Sequence, residues 1–378
     1  MHFSFTPEQR EFREVLRRFL AAQCPPAAVR RVMTTVHGHD ETLWRRLHDD
    51  LGLPALHLPE ALGGGGFGQQ ELGLAIEELG RALAPVPFLS SAVLATQALV
   101  RGATAVEQAA LLPALANGTT TATLAWMEGP HWDGCADVAT VARRHGDAWL
   151  LDGDKSHVVD GHSAAHILVV AREAGTSGDE GIGLWRVAED APGFSRRPLA
   201  TIDTTRRLAA LAFAATPARR LDDARECAAI VARVLDDAAV ALAHELIGCA
   251  SALLDASVEY AKLRMQFGRP IGSFQAIKHK CARLLLELEL ARAAVYYAAA
   301  ARDAGDADAA ALAAQAKAQA SDAALDCARE AVQIHGGIGF TWDHDTHLWF
   351  KRATSAAVLL GDAAWHRERF LALTEAAA

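Results

Sequence analysis

Aromatic residues make up only 6% of this 378-residue chain, so the interior cannot be organised around large rings. Ala, Leu and Val must fill it, a composition that suits closely approaching helices. Cysteine pairs with C-x-x-C spacing are also missing. Cys24, Cys135, Cys227, Cys249, Cys281 and Cys327 are scattered, which excludes a compact disulfide framework and a thiolate zinc site on pattern grounds. No block of one charge occurs: the 46 acidic and 37 basic residues are interspersed, for a net charge of -9. Neither nucleic acid nor an anionic membrane is therefore an expected partner. No apolar run reads as long and uncharged enough to span a bilayer. The N-terminal Phe3-Ser4-Phe5-Thr6-Pro7 segment lacks the basic and apolar regions of a secretory leader. A cytoplasmic chain of two or three packed regions is the expectation.

What is present is strong helical patterning on either side of a β-rich stretch. Thr6 as a cap, Pro7 at the first helical position and Gln9 three residues past the cap start a helix. Phe12, Val15, Leu16, Phe19 and Leu20 then share one face. Further helices are predicted over residues 41–51, 69–83, 88–100 and 105–116. Thr- and Val-rich segments follow at 121–127, 138–143, 149–152, 157–159, 167–171 and 183–187. Turn signals at His145-Gly146-Asp147 and Asp152-Gly153-Asp154 give the spacing of a small barrel or sandwich. Long helical patterns return over 226–264, 274–303 and 306–333, with Ile277, Cys281, Leu284, Leu285 and Leu288 at bundle spacing. The fold class is mainly α with a central β domain: helical residues 1–118, β residues 119–220 and a helical bundle over 221–378. The Ala-rich stretch 298–320 reads as a surface helix because its charges recur at helical spacing.

Two short motifs carry little chemistry. The glycines from Gly63 to Gly68 could cradle a phosphate, but no strand leads in and no P-loop Lys follows, so a helix connector is the better reading. Asp343, His344, Asp345 and His347 resemble metal ligands, yet their spacing is irregular. A polar turn leading into a helix accounts for them, and no metal is expected.

Two longer segments are more specific. Tyr260-Ala-Lys-Leu-Arg264-Met-Gln266-Phe267-Gly268-Arg-Pro270 ends a helix in a cationic Gly-Pro turn, with Phe274-Gln275 opening the next helix. A guanidinium, amide donors and a helix N-terminus converge there, as an anion requires. In Gln333-Ile334-His335-Gly336-Gly337-Ile338-Gly339-Phe340 a helix stops at a Gly pair, where backbone can approach a bulky ligand. Both segments resemble signature stretches of the acyl-CoA dehydrogenases, as do the Phe5-to-Gln9 start, the loop from Leu53-Pro54 to Gly68 and the helical, β, helical order.

The resemblance, which covers essentially the whole chain, implies FAD as cofactor, an acyl-CoA thioester as substrate and an electron-transfer flavoprotein or similar acceptor. It assigns Arg264, Gln266, Phe267 and Gln275 to one FAD, and Gln333, Ile334, Gly336 and Gly337 to FAD across a dimer interface. The family reaction removes an α-proton and a β-hydride to give a trans-2-enoyl-CoA, which requires a positioned carboxylate base and an oxyanion contact. Here the sequence departs from the pattern. Leu360 stands at the usual position of the base, and Ala238 at the alternative one, leaving Asp237, Glu245 and Asp362 as candidate bases. Met127-Glu128-Gly129-Pro130-His131-Trp132-Asp133-Gly134-Cys135-Ala136-Asp137 replaces the usual flavin-facing loop, and His157-Val158-Val159 replaces the Trp-x-Thr that covers the flavin ring. The pattern fits the subunit of an α2β2 assembly that does not supply the base. A self-sufficient homodimer or homotetramer, a flavin-free scaffold of the same fold, and a same-fold oxidase or monooxygenase are the alternatives.

Overall fold

The computed structural model describes residues 5–129, 132, 134–146, 148–223 and 226–377. Phe3, Ser4, Pro130, His131, Asp133 and Asp147, invoked above, lie outside the described residues. In chain order the elements are helices α1 (Pro7–Gln23), α2 (Pro26–Val32), α3 (Glu41–Asp49) and α4 (Gln69–Arg81), a π-helical stretch over Phe88–Ala95 continuing as α5 (Thr96–Gly102), and α6 (Ala105–Ala116). Strands β1 (Ala122–Ala125), β2 (Val141–His145), β3 (Ala148–Val159), β4 (His166–Glu173), β5 (Ile182–Val187), β6 (Phe194–Pro198) and β7 (Leu208–Arg220) follow. The chain ends with α7 (Cys227–Leu263), the short strands β8 (Met265–Gln266) and β9 (Arg269–Pro270), α8 (Gln275–Ala304), α9 (Ala309–His335), α10 (Thr346–Val358) and α11 (Ala363–Ala377).

Two compact units emerge, one of residues 5–32, 68–84 and 239–377, the other of residues 33–67 and 85–238. In the first unit the Thr6–Gln9 capping box forms as the pattern requires, starting α1. Helices α8, α10 and α11 pack against α9. Helix α4 meets α7 through glycine. A Cβ on Gly248 of α7 would fall on the Glu77 carbonyl and 2.8 Å from the Arg81 nitrogen of α4. Gly80 similarly lies against the backbone of Glu245. Absent side chains thus permit backbone-to-backbone approach.

The second unit is built on a seven-stranded sheet that closes on itself: β4 pairs with β2, β2 with β3, β3 with β7, β7 with β5 and β5 with β4, while β1 adds to β4 and β6 to β7. Closure leaves an interior filled by Leu151, Val158, Ile167, Val169, Trp185, Val187, Leu211 and Phe213, the barrel alternative of the sequence reading. Strands β6 and β7 were not predicted. Alanines fill much of β7, and Ala has no intrinsic strand preference; its fit comes from pairing with β3, β5 and β6.

Three expectations are corrected. Asp152-Gly153-Asp154 is not a turn between strands but the middle of β3, where the register with β7 shifts. Gly153 adopts φ +137°, and a Cβ there would stand 2.8 Å from Thr140 Cα, so this glycine marks a bulge. Secondly, α7 is long and apolar enough to span a bilayer by length and composition, which the interrupting Glu245 obscured; its apolar window is 94% buried within the protein. Thirdly, the Ala-rich stretch is not a surface helix. It breaks at Gly305, a left-handed cap, and α9 beyond it is buried at Ala311, Ala313, Ala314, Ala316, Lys317, Ala318 and Ala320. The small side chains that look like low complexity are what allow three helices to pack around α9.

Gly248→Ala should destabilise the first unit by about 1–3 kcal/mol through overpacking, read as a lower denaturant midpoint with an unchanged slope. A neutral effect would show that α4 and α7 can separate without cost.

Candidate active site

Helix α7 ends at Leu263, and the Arg264 N–H donates to the Tyr260 carbonyl at 2.8 Å. The chain then reverses in a two-residue hairpin whose centre, Phe267 (φ +51°) and Gly268 (φ +73°), has both residues left-handed. That is the turn whose twist matches paired strands, and it usually demands Asn or Gly at both places. Here a phenylalanine adopts it with its ring 91% exposed. Arg264, Gln266 and Gln275 are exposed as well. The Arg269 guanidinium lies 4.1 Å from the Phe274 ring centre, bracing the hairpin against the start of α8.

The second segment ends α9. Gly336 has φ +65°, and a Cβ on Gly336 or Gly337 would meet nothing within 4 Å, so this backbone is open to a ligand. Gln333 is exposed, whereas the Ile334 side chain is buried and could offer a ligand only its backbone. Phe340 and Trp342, just beyond, are also exposed. The hairpin thus offers a cation and amides to an anionic group, and the turn offers open backbone and exposed rings to a bulky, flat one.

In the second unit, Glu128 of the departing loop accepts hydrogen bonds from the Ala139 N–H (2.6 Å), the Thr140 N–H (2.9 Å) and Lys155 Nζ (2.5 Å). Lys155, fully buried, also donates to the Trp126 carbonyl. Burial pulls the Lys155 pKa down to about 8 despite the Glu128 charge. Burial opposes ionisation of Glu128 too, but Lys155 and the two amides outweigh it and hold that carboxyl below its usual range. The pair therefore fixes the loop's entry. It was missed from sequence because Lys155 stands in a strand with no sign of its depth. His157 follows at φ +53° with its Nδ1 2.8 Å from Ser156 Oγ, and Val159, in place of a hydroxyl residue, is buried.

None of the three candidate bases is a free carboxylate. Asp237 is buried and paired with Arg101 at 2.8 Å. Glu245 is buried and 3.5 Å from Arg352. Asp362 is exposed and caps α11 through the Trp365 N–H at 2.8 Å. Leu360 occupies a strained turn, φ +63°, followed by Gly361 at φ +102°. This turn is held from below by fully buried Lys317, whose Nζ donates to the carbonyls of Ala357 (3.0 Å) and Gly361 (3.1 Å) and to Ser321 Oγ (3.1 Å). His366 Nε2 bonds the Leu360 carbonyl at 2.9 Å. The turn is thus built as a rigid pedestal, with an apolar side chain on it.

The two minor motifs resolve as connectors. N–H groups of Gly63, Gly64, Gly65, Gly66 and Phe67 all donate to carbonyls between Ala55 and Glu60, so they are not aimed at a phosphate. Asp345 pairs with Arg30 at 2.7 Å, and His344 Nδ1 accepts from the Thr346 N–H at 3.2 Å, which makes them a polar helix start.

Solved structures with this architecture include acyl-CoA dehydrogenases. Butyryl-CoA dehydrogenase from Megasphaera elsdenii matches with a TM-score of 0.89 at 27% identity, covering 100% of this chain and 99% of that one. A variant of the Tcur3481–Tcur3483 steroid ACAD matches with a TM-score of 0.87 at 35% identity, over 98% of this chain and 99% of that one. The ChsE4–ChsE5 complex from Mycobacterium tuberculosis gives 0.85 at 28% identity, over 98% and 97%. The family models for the acyl-CoA dehydrogenase N-terminal and C-terminal domains match residues 6–119 and 228–372. Acyl-CoA dehydrogenase IpdE2 of Mycobacterium tuberculosis is 40% identical over 355 residues, 94% of this chain and 93% of the relative. The chain belongs to the acyl-CoA dehydrogenase family, oxidoreductases that generally bind FAD.

The pedestal yields a pH prediction. Burial lowers the Lys317 pKa from 10.5 to about 7, against the pull of Asp362. Between those values the unfolded chain keeps the proton and the folded chain sheds it, so the group's contribution to stability rises with pH through that window. The unfolding free energy of wild type minus that of Lys317→Met should climb between pH 7 and 10, by at most about 1.4 kcal/mol per pH unit. A flat difference would mean that the amine keeps its ordinary pKa.

Proposed function

We propose that this chain is the subunit of a heteromeric acyl-CoA dehydrogenase, an α2β2 assembly, that contributes to FAD binding while a related subunit supplies the base. The observation that carries this reading is the pedestal turn. It holds Leu360, the residue that the family resemblance aligns with the usual base, and Ala238, aligned with the alternative one, is buried and equally unable to accept a proton. Proton abstraction from the α-carbon of a thioester needs a positioned base, which the family resemblance makes a carboxylate. Asp237 and Glu245 are buried and committed to Arg101 and Arg352.

Arg264, Gln266, Phe267 and Gln275 would hold one FAD, and Gln333, the Ile334 backbone, Gly336 and Gly337 a second one across the subunit interface. Bound FAD would accept the β-hydride as the α-proton leaves to a carboxylate, giving a trans-2-enoyl-CoA, with an electron-transfer flavoprotein or similar protein as the onward acceptor. This chain's own residues orient and enclose: the exposed hairpin offers Arg264 to a pyrophosphate, and the open Gly336–Gly337 backbone lets an adenosine moiety approach. The names of the Tcur3481–Tcur3483 steroid ACAD and the ChsE4–ChsE5 complex support two related chains as the working unit and a steroid-derived acyl-CoA as the substrate class.

Anaerobic mixing with a panel of acyl-CoA thioesters, including steroid side-chain thioesters, tests this. The purified chain alone should leave the visible flavin band intact, and adding a related subunit should bleach it. Bleaching by the chain alone would overturn the reading and return Asp237, Glu245 and Asp362 to candidacy.

A further inference from the structure

The two segments assigned to FAD leave the ends of different helices, α7 and α9, yet their last turns touch. The Tyr260 and His335 rings stack at 4.4 Å with 28° between planes, and His344 lies 4.7 Å from His335 on a second contact. Tyr260 is the residue whose carbonyl receives the Arg264 N–H. His335 immediately precedes Gly336.

His335 is buried, and its Nδ1 donates to the Ala331 carbonyl at 2.7 Å, so the ring's orientation is fixed from its own helix. Burial lowers its pKa, which favours the neutral ring at physiological pH. His344 is fixed in turn: Thr346 donates to its Nδ1, and Arg30 of α2 donates to its carbonyl at 2.9 Å. Gly339 packs against the base of the side chain, since a Cβ there would stand 2.8 Å from His335 Cβ. The ring is thus held by Tyr260, by His344 and by its own helix.

We propose that the Tyr260–His335 stack, with the tilted His344 ring against it, is the positioning element that sets the Arg264 hairpin and the Gly336–Gly337 turn as one rigid piece. The proposal rests on the FAD assignment made above. On that assignment the two segments serve different cofactors, so the stack couples the flavin site a chain helps to build with the site it completes for its neighbour. Its rings need not touch FAD. They act through the backbone they hold.

The test uses the assembled full-length protein. FAD affinity is measured by fluorescence titration of deflavinated protein, and backbone hydrogen exchange by mass spectrometry. Tyr260→Leu and His335→Leu should each weaken FAD binding by about tenfold, the scale of one lost aromatic pair. Tyr260→Phe and His335→Phe, which keep a ring, should stay within about twofold of wild type, and the double Leu variant should be little worse than either single one because all remove the same contact. Tyr260→Leu should also speed exchange in residues 336–340, and His335→Leu in residues 264–270. Val295→Ala, a truncation in the buried face of α8, controls for general loosening and should lower thermal stability without changing FAD affinity.

Unchanged affinity in both Leu variants would overturn the proposal, as would losses that Phe does not rescue, or exchange that rises only beside the substituted residue. A wild-type protein that takes up no FAD would overturn the cofactor assignment itself, a result distinct from any of these because it precedes the variants.

Discussion

Two buried carboxylates that follow each other on α4, Glu77 and Glu78, constrain how the first unit assembles. Each is about 1% exposed, and an unpaired buried carboxylate costs several kcal/mol. The helices must therefore assemble so that cations reach them. Arg13 of α1 bonds both, Arg17 of α1 reaches Glu78, and Arg292 and the Tyr296 hydroxyl of α8 close on Glu77. Burial disfavours ionised Glu78, but Arg17 and Arg13 overcome it and keep its pKa below the usual value. Helices α1, α4 and α8 are locked in register by this network, and the glycine contacts bring α7 against α4. Since α7 ends and α8 begins at the β8–β9 hairpin, the same constraint aims Arg264 and Phe267.

Much of this was legible in the sequence, and the reasons are particular. The capping box at Thr6 and Gln9 is local chemistry, so α1 starts where the pattern puts it. Helices α7, α8 and α9 are long enough for periodicity to average out irregularities, and the stops at Arg264 and Gly336 follow from turn residues. Illegible were the features set by tertiary pairing. Strand β7 exists because three other strands pair with it, and nothing in its Ala-rich sequence announces that. Nothing in the sequence marks Lys155 and Lys317 as buried, since a lysine's burial depends on carbonyls supplied from Trp126, Ala357 and Gly361, far away in sequence. Tyr260 and His335 lie in the two signature segments, but their contact joins residues 75 positions apart.

Half of the left-handed backbone outside glycine falls in segments that the family pattern links to chemistry. Among the described residues, six non-glycine residues have positive φ, and three of them are His157, Phe267 and Leu360. Each belongs to a segment the family pattern links to flavin or base. Left-handed backbone at a bulky residue costs on the order of 1–3 kcal/mol and persists only when surroundings over-determine it. The surroundings do so differently in each case: a bulge in β3 at His157, paired strands at Phe267, and the Lys317 and His366 bonds at Leu360.

The Leu360 turn makes the sharpest contrast between scaffold and side chain. Holding a strained turn on a desolvated lysine is costly, and a turn with no role in a site would gain from relaxing. Its apolar residue does not relax it, because the bonds that impose the conformation run through backbone carbonyls and are indifferent to what residue 360 carries. A substitution that removes a base can therefore leave the architecture of the site untouched, including the segments that hold cofactor for a neighbour. That separation explains how one chain of a paired enzyme could lose proton abstraction without losing its place in the assembly: the chemistry resides in a side chain, while the shape that a partner must recognise resides in hydrogen-bonded backbone and buried charge.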